Sequence, residues 1–133
     1  MDEQAEIPWR QDVEAAMAVF GGRWVVAVLA ELALGPLHFT QLLSEINAVE
    51  DRFGRRTHDR PLSNAVLSRT LERMQDDGLV ARHQDPSPHP SVRYELTPLG
   101  KELLAALRPL AKWAQALRVR HEQGQPRAGP VSE

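Results

Sequence analysis

Apolar positions recur at helical spacing in five stretches of this 133-residue chain, and in one short stretch they alternate instead. Val13, Ala16, Met17 and Phe20 follow i, i+3, i+4, i+7, which predicts a helix from Asp12 with one buried stripe. Residues 1–10 show no clear periodicity, and Pro8 argues against a helix through them. Gly21-Gly22 ends the first helix. Arg23 to Leu34 forms the second, with Trp24, Val25, Val28, Leu29 and Leu32 on one side and Gly35-Pro36 as its stop. Phe39, Leu42, Leu43 and Ile46 mark a third. From Asn47 to Pro61 the pattern breaks: AVEDRFGRRTHDRP is polar and Arg-rich and reads as an extended loop.

The next stretch is the most ordered in pattern. Ser63 is placed to cap a fourth helix, and Gly78 supplies its stop. At 100° per residue, Leu67, Leu71 and Met74 share one side, while Ala65, Ser68, Arg69, Glu72 and Arg73 share the other. Leu79 to Gln84 and Val92 to Leu96 read as strands. In the second, Val92, Tyr94 and Leu96 alternate with Arg93 and Glu95. Pro86, Pro88 and Pro90 between them make a stiff turn that cannot continue a ladder. Thr97-Pro98 then opens a fifth helix with Leu99, Leu103, Leu104, Leu107, Leu110, Trp113 and Leu117 at helical spacing. Pro109 lies inside it and is expected to kink it. The tail from Gln123 is expected to be disordered, which leaves 1–122 as a single domain.

Helix, basic linker, helix and hairpin in this order read as a winged helix-turn-helix. The fold class is α+β, mainly α, with a two-stranded β-hairpin wing and extra helices at each end. Net charge bears on whether such a fold meets DNA, and at -2 it is the wrong sign. Its distribution changes the picture. Residues 1–50 hold two Arg against eight acids, residues 51–96 eight Arg against seven, and residues 97–133 six bases against three. Within Arg52 to Arg73 there are six Arg and two acids. Affinity for a polyanion depends on that local array rather than on the total. Fourteen of the sixteen basic residues are Arg, whose fork suits phosphate and guanine.

The candidate DNA-binding residues are Ser63, Asn64, Ala65, Ser68, Arg69 and Arg73 on the fourth helix, Arg82, His89 and Arg93 on the wing, and Arg55 and Arg56 in the linker. Ala65 and Ser68 are small enough to let the helix approach base edges, and the arginines reach guanine or phosphate. Trp9, Met17, Phe20 and Trp24 are candidates for an effector pocket, or for core or dimer interface. The last helix carries more apolar surface than one small core needs. Val13, Met17, Leu103, Leu107, Leu110, Trp113 and Leu117 are therefore expected at a homodimer interface. The spacing of His83, Asp85 and His89 matches no metal motif. No nucleophile with its base, paired carboxylates or phosphate-cradling loop stands out, so neither a cofactor nor catalysis is expected. There is no cysteine, and the acidic N-terminus lacks a secretory pattern, which points to the cytoplasm.

The pieces VEAAMAVFGGRW, LHFTQLLSEI, LSRTLERMQDDGLVAR and VRYELTPLG, with the Leu-rich final helix, resemble the HxlR-type regulators, a branch of the MarR-like winged-helix transcription factors. The resemblance implies a homodimer whose first and last helices pack at a two-fold axis. It also implies that Ser63 to Asp77 is the recognition helix and Gln84 to Val92 the wing. Many members carry a sensing cysteine near the start of the first helix; the aligned position here is Gln11. The linker ahead of the recognition helix is also longer than is usual in the family. The expected function is a sequence-specific, dimeric DNA-binding regulator of a pseudo-palindromic operator, with or without a small-molecule effector. The alternative is a winged-helix protein-interaction module that does not touch DNA.

Overall fold

Seven side chains are sealed from solvent and organise everything around them: Val28, Leu29, Leu42, Ile46, Leu67, Leu71 and Met74. They come from three helices that close on one side of a small sheet. In the computed structural model the described residues are 2–22, 24–52, 60–86, 88–89 and 91–124. The helices are α1 (Asp2–Phe20), α2 (Val25–Leu32), α3 (Phe39–Arg52), α4 (Asn64–Asp76) and α5 (Pro98–Glu122). The strands are β1 (Leu37–His38), β2 (Val80–Gln84) and β3 (Val92–Leu96), in antiparallel order β1-β3-β2. Close contacts divide the chain into two units, Met1–Lys101 and Glu102–Glu133.

Several elements depart from the pattern reading, each for a local reason. The helix expected from Asp12 begins at Asp2 and runs through Pro8. A proline inside a helix removes one N–H bond, but here it is flanked by good helix formers, Asp2-Glu-Gln-Ala on one side and Glu14-Ala-Ala on the other. The stripe expected to be buried is not: Val13 and Met17 are exposed, and Trp9, two turns before Met17, is 71% exposed. The second helix starts at Val25, not Arg23, because Trp24 is its N-cap in the left-handed region, φ 73°. The third helix does not stop at Asn47. It runs on to Arg52 through Ala48, Val49 and Glu50, a stretch with no Gly or Pro to stop it and with the strong helix formers Ala48 and Glu50. The linker that the sequence pattern drew from Asn47 to Pro61 is thus shorter, and Arg55, Arg56 and His58 lie outside the described residues.

The wing is also larger than a hairpin. Leu37 pairs with Tyr94 and His38 with Arg93, which makes β3 the central strand of three. β2 pairs along the whole of β3, from Val80 opposite Leu96 to Gln84 opposite Val92. The alternation holds, with Tyr94 and Leu96 buried. Pro109 lies within α5, which continues past it to Glu122. Of α5 only Gly100 is buried in the protomer. Trp113 is 62% exposed and Leu110 is exposed as well, while Leu103, Leu107 and Leu117 are half-buried.

Candidate nucleic-acid interface

The exposed face of α4 is set by how that helix begins and ends. Ser63 adopts extended backbone and its hydroxyl oxygen accepts from the Val66 N–H at 3.2 Å, the expected cap. At the other end Gly78 sits at φ 80°, the Gly78 N–H donates to the Gln75 carbonyl, and the Leu79 N–H donates to the Met74 carbonyl. That pair of bonds is the Schellman closure, and it turns the chain straight into β2. Between these ends Leu67, Leu71 and Met74 face the core. Asn64, Ala65, Ser68, Arg69, Glu72 and Arg73 face solvent.

Placement of the helix depends on a residue that the pattern reading passed over. The Asn47 side chain accepts from the Leu62 N–H at 2.8 Å and donates to the Leu62 carbonyl at 3.1 Å. Its amide thus pairs with the backbone as a neighbouring strand would. Leu62 is buried, so the N-cap of α4, Ser63, follows directly on a fixed point. Sequence offers no motif for this, because Asn47 and Leu62 lie fifteen positions apart. Replacing Asn47 by Ala leaves both Leu62 groups without partners, and unfolding free energy should fall by about 1–3 kcal/mol in urea titration. Faster amide exchange at Leu62 should accompany the loss.

On the wing, Arg82 and His89 are exposed. Arg93 is half-buried, with its Nε 3.4 Å from an Asp85 carboxylate oxygen. Asp85 also accepts from the Ser91 hydroxyl at 3.0 Å, so the base of the turn is held by side chains as well as by backbone. The imidazole of His83 lies 2.8 Å from the Glu95 carboxylate on the neighbouring strand. His38 Nδ1 donates to the Val92 carbonyl at 3.2 Å and ties the first strand to the wing.

Elsewhere the surface has the opposite sign. Glu31, Leu34, Thr40, Gln41, Ser44 and Glu45 line a shallow groove on α2 and α3. Burial and the nearby Glu45 carboxylate push the Glu31 carboxyl above its ordinary value, against the lowering pull of Arg52. Two carboxylates make this groove unfavourable for phosphate. Of the residues considered for an effector pocket, Trp24 is part of the core at 4% exposure, Phe20 is half-buried, and Trp9 and Met17 are on the surface.

In comparison with known proteins, the HxlR-like helix-turn-helix family matches residues 19–122. The chain belongs to that family. An HTH-type transcriptional regulator of Methanothermobacter thermautotrophicus is 29% identical to this HxlR-like chain over 114 residues, 86% of this chain and 77% of the relative. The HTH-type transcriptional regulator YvaP of Bacillus subtilis is 32% identical over 101 residues, 76% of this chain and 82% of its own. Among solved structures, a MarR-family transcriptional regulator from Enterococcus faecalis V583 superposes with a TM-score of 0.72 at 25% identity, covering 86% of this chain and 92% of that one. The redox regulator HypR in its reduced form shares the fold at 22% identity, with a TM-score of 0.65 over 84% and 98% of the two chains. The relatives of this HxlR-like protein are named as HTH-type transcriptional regulators, and the solved structures share its fold.

Proposed function

We propose that this protein is a cytoplasmic transcriptional regulator that binds duplex DNA as a homodimer on a pseudo-palindromic operator. The observation that carries the reading is the free face of α4: small residues at Ala65 and Ser68 beside Arg69, on a helix capped at both ends and backed by core. Such a face enters a major groove with its N-terminal residues at the base edges. Asn64 and Ser68 offer polar groups to bases, while Arg69, Arg82 and Arg93 offer charge to phosphates. Arg55 and Arg56 add to that charge by sequence alone.

Exposed apolar side chains support the homodimer. Trp9, Val13 and Met17 on α1, and Leu110, Trp113 and Val119 on α5, are large hydrophobic residues left open in one protomer. A second copy would cover them, and two-fold symmetry would set the two α4 helices about one DNA turn apart. Any effector signal runs through chemistry other than a thiol, since the chain has no cysteine.

The test is to select genomic fragments on the purified protein, then titrate a labelled duplex so obtained at several salt concentrations. With about six phosphates neutralised, affinity should fall roughly a thousandfold between 50 and 200 mM salt. Sedimentation at micromolar concentration should give the dimer mass. A flat salt response would favour the protein-interaction module, and a monomer that retains full affinity would remove the half-site geometry.

A further inference from the structure

We propose that Arg73 is a positioning residue, which ties α4 to the last turn of α1 and so fixes the angle at which α4 presents Ser68 and Arg69; this rests on α4 being the reading helix. The two arginines of α4 lie one turn apart and would be taken as equivalent phosphate ligands. Their surroundings differ. Arg73 Nη2 donates to the Ala18 carbonyl at 2.8 Å, across fifty-five positions of sequence. Arg69 makes no such bond among the described residues.

Ala18 is in the final turn of α1, where carbonyls lack intrahelical partners and the helix dipole is negative. The Met17 carbonyl is already taken by the Gly21 N–H at 2.7 Å. α1 has no basic residue in its own last turn. Arg73 supplies from another helix the cation and the donor that α1 does not carry. The other side of the guanidinium is steered by Asp77, whose carboxylate lies 4.0 Å from Nε.

The turn after α1 is shaped around this group. A Cβ built on Gly22 would stand 3.3 Å from Arg73 Nη1 and 3.2 Å from Val25 Cγ2. A side chain at 22 would press on the guanidinium and shift it by a few tenths of an ångström. The result is a link between the helix that carries the exposed Trp9–Val13–Met17 stripe and the helix that faces DNA.

Arg73→Ala, Arg69→Ala and Gly22→Ala separate the roles. Each is titrated on the selected duplex across salt, and amide exchange of the DNA-free protein is followed at residues 17–22 and 70–77. Arg73→Ala should bind about tenfold more weakly with an unchanged salt slope, because no phosphate contact is lost. Arg69→Ala should make the slope shallower by about 0.9 per protomer. Gly22→Ala, which crowds the Arg73 guanidinium without removing a charge, should reproduce the Arg73→Ala pattern in weaker form. Exchange in both segments should quicken in Arg73→Ala and Gly22→Ala but not in Arg69→Ala. A slope reduced by Arg73→Ala as much as by Arg69→Ala, or unaltered affinity, overturns the proposal. Should the parent itself show no salt-dependent binding, the DNA reading fails instead. The exchange measurement then decides the tie alone: unchanged exchange in Arg73→Ala overturns it.

Discussion

Gly100→Ala is expected to be among the most damaging single-methyl changes in this protein, lowering the unfolding free energy by about 3–4 kcal/mol. Gly100 is the one buried residue of α5, and a Cβ there would collide with the Leu79 carbonyl oxygen and lie 3.2 Å from its carbonyl carbon. Backbone cannot swing aside as a flexible side chain can. That same oxygen accepts from the Thr97 N–H at 3.0 Å, while Thr97 Oγ1 accepts from the Gly100 N–H at 3.0 Å and donates to the Gly78 carbonyl at 2.6 Å. The extra methyl therefore pushes at a joint where three hydrogen bonds link the end of α4, the approach to β2 and the start of α5. Lys101→Ala, one position on and exposed, should stay within about 0.5 kcal/mol of the parent. Urea unfolding of the two variants side by side gives the comparison. Equal stabilities would mean that strand and helix are not in contact at Gly100.

Trp24 should show an inverted order of substitutions. It holds φ 73°, the one non-glycine residue at positive φ among those described, and its side chain is almost wholly buried. A bulky residue there costs roughly 1–2 kcal/mol of backbone strain, held in place by the burial of the indole. Trp24→Ala loses the packing but keeps the strain, so a loss of about 3–5 kcal/mol is expected. Trp24→Gly loses the same packing and relieves the backbone, so it should be more stable than Trp24→Ala by about 1 kcal/mol. At ordinary helical positions glycine is the worse of the two. Thermal and urea unfolding of both variants will show the order, and alanine above glycine would mean that the left-handed conformation is not present in solution.

The bounds and the buried stripe of α4 were the most legible part of the chain because their signals are local in sequence. Ser63, Gly78 and the Leu67–Leu71–Met74 stripe act within four residues of their targets, and each does what its spacing implies. The β2–β3 pairing was legible for the same reason. β1 was not, since two residues cannot display alternation and Leu37 is placed by Tyr94, far along the chain. The α1 stripe was recognised as apolar, and Val13 and Met17, read both as part of a buried stripe and as dimer-interface residues, are open in the protomer. On the exposed face of α4, residue type marked Arg69 and Arg73 alike, and only the Ala18 carbonyl separates them. Asn47 carried no signal at all, because an asparagine that pairs with distant backbone looks like any asparagine before a polar run.

The Asn47–Leu62 clasp makes the intervening stretch independent of the helix that follows it. Both ends are pinned, so residues added or removed between them leave Ser63 where it is. The cost of a longer closed segment grows only logarithmically, about 0.6 kcal/mol for each doubling. Charge can therefore be gained or shed there in small steps while the start of α4 stays fixed. The same clasp makes this stretch a natural point at which to graft a fluorophore or a peptide tag without disturbing α4.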